Sequence, residues 1–556
     1  MDRLPQHIYD DIAALLDGPD VQRPGLATIS HRWQMAIERL TFRCIVLKST
    51  ELERFEKIIQ HGRRRYYVKS IGYRIVLPAY SDEVRGRFER EDDRRVNNEA
   101  FTAAIHGLFQ ILKSWDGSIM LRIQDAYSIA DHDFLTMSNS NFGRRDNDHV
   151  NLAGFQHHDS PNGLDLWSWR HRYSYLDLLP APSLPSVPVV KSLHIQSMSR
   201  NISPRAAIGI VAKLPNLRTV YVFMSDDEMR YSAFRRMLRH ELTQTILNVL
   251  PTLSEVRDLD LRMHEWLYWN RAWGSISLSE DNTTSDPLSS AIRTTTAHSR
   301  TLRRLSVMGI IDGSLLWPGP DHTLLEPYWQ NLEHIIINFS MRRPSGGCYF
   351  RTTSLIENRP RSILREHVAP LRVEMPPGYG HSEEEDAEAA RTFNVLNHSA
   401  YDDVRRLNVV PDDGSLVPLI EAFGQACLQM RSLKSAELTT TIPHSIETDT
   451  GETLLCRSLW GLWYVCPNAP SGRGRSSGLN YWGPDFLGPA FFEDPEQGRL
   501  LWAVKDWRPS PELSSLLRNI GRERYGEQLT EKFLECRNTL WKEDTLQRWR
   551  ELRNRT

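Results

Sequence analysis

The first apolar pattern in the chain is a stripe behind Leu4-Pro5: Ile8, Ile12, Leu15 and Leu16 recur at helical spacing. Pro5 suits a helix start, where its fixed φ is favourable and its missing N–H costs nothing. Breaks at Gly18-Pro19 and Pro24-Gly25 separate this helix from a second, predicted over Ala27–Arg39, with Ile29, Trp33 and Ile37 in one row. An exit strand, Phe42–Leu47, follows. So short a stretch cannot bury that many large apolar groups in a core of its own. Part of the stripe is therefore expected to be offered to a partner.

Beyond it, the pattern predicts helices over Glu51–Gln60 and Asn97–Leu112 and strands over Val68–Val76 and Ser118–Ile123. From Val190 an apolar-x-x-apolar-x-apolar frame recurs: Val190-Leu193-Ile195, Leu217-Val220-Val222, Val256-Leu259-Leu261, Leu302-Leu305-Val307 and Leu332-Ile335-Ile337. Helical segments separate the frames at Ala206–Leu214, Ser232–Leu250 and Leu288–His298. The frame returns at Val404–Val409 and Leu433–Leu438, around a helix over Leu416–Met430. Strands are expected at Leu459–Val465 and Arg499–Val504, and a helical tail from Pro511 through Leu529, Phe533 and Leu534. This is the strand portion of a leucine-rich repeat, with irregular spacing and without the usual Asn. The fold class expected is α/β: a short N-terminal helical module, then a degenerate leucine-rich-repeat-like solenoid with C-terminal helices. Helical crossovers make its strands mostly parallel, in one curved, elongated array.

Strand alternation turns the fourth and sixth frame residues into the core and the third, fifth and seventh to the opposite face. That second face carries His194, then Tyr221 and Phe223, then Asp258, Asp260 and Arg262, then Arg304. Aromatic groups there have no core reason to be present, and the charges can orient a partner. These seven residues are the candidate target-binding set.

The 68 basic and 70 acidic residues leave a net charge of -2 over 556 residues, which gives no pull toward nucleic acid. No apolar run approaches the ~18 residues that would cross a bilayer, and Asp2 stands where a signal peptide would carry basic residues. Six cysteines without a C-x-x-C pair predict no zinc ribbon and fit the reducing cytoplasm or nucleus. The polar stretch 131–165 reads as a long loop. Its His157-His158-Asp159 lacks helical ligand spacing and reads as solvated loop, so no metal site is predicted. Gly474-Arg475-Ser476-Ser477-Gly478 has the letters of a nucleophile elbow without the flanking strand and helix. No catalytic residue and no cofactor are predicted.

The N-terminal residues resemble an F-box, the module that docks on the Skp adaptor of SCF-type ubiquitin ligases. The matching positions are Leu4-Pro5, Ile8, Ile12, Leu16, Ile29-Ser30, Trp33, Ile37 and Phe42. His7 stands where the family usually has an acidic residue, and Pro24-Gly25 interrupts its middle helix. Trp329-Gln330-Asn331-Leu332-Glu333, Pro411-Asp412 and Asp506-Trp507-Arg508-Pro509 look like the C-terminal domain of a family of fungal F-box proteins, with Cys348 in place of an expected Trp. The resemblance implies an F-box over 1–48, a repeat region over 49–300 and that C-terminal domain over 301–556. It implies a substrate-recognition subunit that binds a Skp-type adaptor, and through it a cullin complex. The adaptor would be held by Leu4, Pro5, Ile8, Ile12, Leu16, Ile29, Trp33 and Ile37, and an unidentified target protein by the repeat body. The alternatives are an interaction scaffold without a ligase role and, from another class, a hydrolase built around Ser476.

Overall fold

A computed structural model describes residues 4–16, 23–61, 63–81, 84, 88–131, 170–171, 173–181, 183–197, 199–226, 232–264, 277–278, 285–318, 329–352, 378–379, 382, 384–385, 409–447, 453–469, 494–526 and 528–534. Two compact units emerge. Unit 1 is Met1–Met224, Thr252–Val256 and Pro377–His381; unit 2 is Ser225–Pro251, Arg257–Pro376 and Ser382–Thr556.

Unit 1 begins with three helices, α1 (Gln6–Leu15), α2 (Arg23–Ala27) and α3 (His31–Thr41). Pro5 is the N-cap of α1, in extended backbone. The segment around Pro24-Gly25, expected as a break, forms the short α2; proline is tolerated so close to a helix start. The second predicted helix begins later than Ala27, because Ser30 caps it by accepting a hydrogen bond from Trp33 N at 3.4 Å. Ile29 thus lies ahead of the helix and not in its row.

The rest of unit 1 runs β1 (Cys44–Lys48), α4 (Leu52–Ile59), α5 (Arg64–Tyr67), β2 (Ser70–Leu77), α6 (Glu91–Leu112), β3 (Ile119–Ser128), β4 (Tyr175–Leu176), β5 (Val190–Ile195), β6 (Asn201–Ile202), α7 (Pro204–Val211) and β7 (Thr219–Ser225). Strands β1, β2, β3, β5 and β7 pair in that order, each parallel to the next. Helical crossovers bury such strands deeply, and Ile71, Tyr73, Leu121, Ile123, Leu193 and Ile195 are all at 0% exposure. Phe101, Ile105, Leu108 and Leu112, at helical spacing on α6, are buried too, and Tyr73 donates from its hydroxyl to Ala104 O at 2.8 Å.

Unit 2 runs α8 (Ser232–Val249), β8 (Asp258–His264), α9 (Pro287–Ala297), β9 (Arg304–Gly309), β10 (His334–Phe339), β11 (Phe350–Thr352), β12 (Val409–Pro411), α10 (Asp413–Gln429), β13 (Ser435–Glu447), β14 (Thr453–Val465), β15 (Arg499–Ala503), α11 (Pro511–Arg518), α12 (Arg522–Tyr525) and β16 (Thr530–Phe533). Strands β8, β9, β10 and β13 are parallel neighbours in that order. Then the pattern changes: β13, β14 and β15 form an antiparallel meander, and β16 returns parallel to β15. Residues 530–533, expected in a helical tail, are therefore strand. Pairing with Arg499–Trp502 overrides their weak helical spacing.

The repeated frame holds in both units. Its three apolar positions are at most 6% exposed in all five frames from Val190 to Ile337. The second position of each frame carries the ladder beyond the apolar run. Arg218 N donates to Lys191 O at 2.8 Å, Glu333 N to Arg303 O at 2.7 Å and Lys434 N to Glu333 O at 2.7 Å. The charged side chains there pair along the strand starts, Lys434 with Glu333 at 2.5 Å and Arg303 with Glu333 at 3.7 Å.

Candidate functional site

Two surfaces hold the candidate residues. The first is the N-terminal helical module. Helix α1 has two apolar faces because two helical rows interleave in it. Tyr9 and Ala13 point inward and, with Ala36 and Ile37 of α3, make a small core onto which Leu26, Ala27, Trp33 and Leu40 pack. The Tyr9 ring meets Trp33 edge-on at 5.5 Å. Leu4, Ile8, Ile12 and Leu15 form the other row. Leu4 is 42% exposed, Ile12 37%, Leu15 86% and, ahead of α3, Ile29 60%. Pro5 is exposed, and Ile8 and Leu16 are half-buried.

Of the eight expected adaptor-binding residues, Leu4, Pro5, Ile8, Ile12, Leu16 and Ile29 thus keep surface for a partner. Ile37 is buried and Trp33 half-buried against Tyr9, so these two hold the module together. Leu15, in the predicted stripe but left out of the expected set, is the most exposed of the row. Tyr9 and Ala13 were missed as core; their spacing of four, one step from Ile8 and Ile12, was the available signal.

Polar contacts fix the module. Gln6 donates to Arg32 O at 3.1 Å, and Arg39 pairs with Asp10. Arg64 pairs with Glu38 at 2.8 Å, tying α3 to α5. Burial alone would raise the Glu38 carboxyl, but the Arg64 guanidinium and Gln34 hold it below its ordinary range.

The second surface is the sheet face opposite the frame core. In unit 1 it carries His194 and Tyr221, register partners whose rings stack at 5.5 Å, and the half-buried Phe223. Tyr221 is only 3% exposed. Its expected role as an aromatic group on a solvated face is corrected: β7 is packed on both sides, so Tyr221 is a core residue.

In unit 2 two rows cross the sheet. One is Asp258, Arg304, His334 and Ser435; the next is Asp260, Ser306, Ile336 and Glu437. Asp260 and Arg262, expected as free recognition charges, are both 8% exposed and satisfy each other. Arg262 donates to both Asp260 oxygens at 3.0 and 2.9 Å, and Ser306 Oγ adds a third bond at 3.0 Å. His334 Nδ1 shares a 2.8 Å hydrogen bond with Ser435 Oγ.

Glu437, on the second of these rows, is hard to ionise. Burial pushes its carboxyl from the ordinary 4.5 up to about 7, against the opposing pull of Arg304 and a hydrogen bond with Trp463. A carboxyl raised on folding contributes stability that is full below its unfolded pKa and lost as pH rises through the folded one. The window here runs from about pH 4.5 to just above 7, and the shift amounts to about 3 kcal/mol. Glu437→Gln is expected to remove that part of the slope. Denaturant unfolding of both proteins at the two ends of the window measures it, and identical slopes would refute the assignment.

Among the described residues no three or more His, Cys, Asp or Glu side chains gather as metal ligands, and no helix is long and apolar enough to cross a membrane. His157-His158-Asp159, most of the polar stretch 131–165, and Ser476 lie outside the described residues. Comparison with protein-family models, with curated proteins and with solved structures returned no match.

Proposed function

We propose that the chain is an F-box substrate receptor: the N-terminal module docks on a Skp-type adaptor, and a leucine-rich-repeat-like body presents a target protein to the associated cullin ligase. The observation that carries this reading is the double-faced α1. The module spends Tyr9, Ala13, Ala36 and Ile37 on its own core and still exposes Leu4, Ile12, Leu15 and Ile29. A contiguous exposed apolar row marks an interaction site, and anchors of this kind carry most of an interface's energy. Leu4, Ile12 and Ile29 are positions of the F-box resemblance, and Leu15 adds to the exposed row beside them. The repeat reading rests on the buried frames and on the charged ladder at their second positions. Target ubiquitination would be the work of partner subunits.

The test is reconstitution with the adaptor. Leu4→Ala/Pro5→Ala changes only exposed side chains and is expected to weaken adaptor binding at least about tenfold while the module stays folded. Undiminished binding by that variant, or by a chain lacking residues 1–48, defeats the reading. Adaptor binding without recruitment of the cullin would favour a scaffold.

A further inference from the structure

On the unit 2 sheet face most charged groups are already satisfied within the protein. Asp260 and Arg262 hold each other, with Ser306 completing the carboxylate. Lys434 is taken by Glu333, and Ser435 by His334. Arg304 differs. Its half-buried side chain has Asp258 as register partner on β8 and acts on Glu437 through its charge, but it forms no hydrogen bond or ion pair with any described residue, and none of its nitrogens is shut away from solvent. The neighbouring His334 uses Nδ1 for Ser435 and leaves Nε2 equally unengaged. The two residues are register partners on β9 and β10, so their side chains leave neighbouring strands on one face, near enough for the Arg304 charge to act on His334. Half-buried Ile336, one step beyond His334 on the same face, and half-buried Met308, two steps beyond Arg304, supply an apolar border.

We propose that Arg304 and His334 form an anion-recognition point on unit 2 that takes one carboxylate or phosphate group of the target. Arg304 contributes donors only, and a guanidinium fork matches the paired oxygens of those groups. This rests on the receptor reading for its biological partner, but the anion site stands or falls by itself.

The surroundings give the site a signature. His334 is held below its ordinary range first by burial, then by the Arg304 charge, with Lys434 acting the same way and Glu333 and Asp258 opposing. An anion bound at Arg304 cancels that cation and favours the imidazolium, whose second N–H then also faces the anion. Anion binding is therefore coupled to proton uptake at His334, and affinity rises as pH falls.

The experiment uses the full chain and two probes, inorganic phosphate and acetate, followed by calorimetry at about pH 6 and pH 8. Phosphate is expected to bind in the millimolar range, and proton uptake near the lower pH is read with acetate, which stays ionised at both pH values, whereas phosphate itself titrates. Arg304→Met should weaken it at least about tenfold, and Arg304→Lys, which keeps the charge but loses the fork, should fall between. His334→Gln should retain binding but lose its share of the proton uptake; Glu437, which feels the Arg304 charge and is raised to about 7, is the other group in range, and Glu437→Gln removes its share. Acetate binding as tightly as phosphate would point to a target carboxylate, and weaker acetate binding to a phosphate. No saturable binding of either anion up to about 50 mM, or equal binding by wild type and Arg304→Met, overturns the proposal. Adaptor binding should be unchanged in every variant, so failure here leaves the N-terminal reading standing and its failure leaves this one.

Discussion

Asp286→Ala is expected to destabilise unit 2 by about 3–5 kcal/mol. Asp286 is 1% exposed and does three jobs at once. It pairs with Arg239 of α8 at 2.6 and 3.3 Å. It caps α9 by accepting from Ser289 N at 2.8 Å, and its own N–H donates to Asp312 at 2.9 Å. Alanine removes the cap, worth about 1 kcal/mol, and leaves a guanidinium 7% exposed with its charge uncompensated. One partial relief is built in. Burial, and next the Asp286 carboxylate, push Asp312 above its ordinary range, so losing Asp286 eases Asp312. Denaturant unfolding of the variant measures the net effect. Asp286→Ala/Arg239→Met should recover a large part of the loss, because the stranded charge goes with its partner. A loss below about 1 kcal/mol in the single variant would mean that the pair is solvated and the packing around α9 is loose.

That cluster was not legible in the sequence, whereas the frame around it was. A strand whose apolar residues repeat at positions one, four and six carries its burial in its own letters, and every such position from Val190 to Ile337 is buried. Arg239 and Asp286 meet only because α8 and α9 pack together, and no local spacing records that. The same holds at the C-terminal end. Leu459–Val465 and Arg499–Val504 read as strands, but their antiparallel order depends on which neighbours they find. Thr530–Phe533 became strand through a partner 31 residues upstream, Arg499 against Thr530. In the N-terminal module the exposed row was legible as an apolar stripe. The inner row was not, because Tyr9 and Ala13 are small or amphipathic and do not stand out beside Ile and Leu. The recognition face failed for a related reason. Alternation identifies the side that is not the frame core, but it does not say whether that side meets water.

Tyr221→Ala decides that last point for unit 1. The ring is 3% exposed and stacked on His194, while Val220 and Val222 on the other side of β7 are at 1% and 0%. Truncating an aromatic residue packed in this way is expected to cost about 3–5 kcal/mol, mostly lost burial plus the cavity left behind. Phe223→Ala, at a half-buried position, should cost roughly half as much. Both are read by denaturant unfolding, with target capture measured on whatever remains folded. Stability within about 1 kcal/mol of the wild type for Tyr221→Ala would return the ring to an open surface and restore it as a recognition candidate. The expected large loss instead removes it from that role, since any fall in capture would follow from unfolding. Under the receptor reading proposed above, recognition would then fall to groups whose replacement leaves the fold intact, and in unit 2 half-buried Arg304 is the candidate for that role.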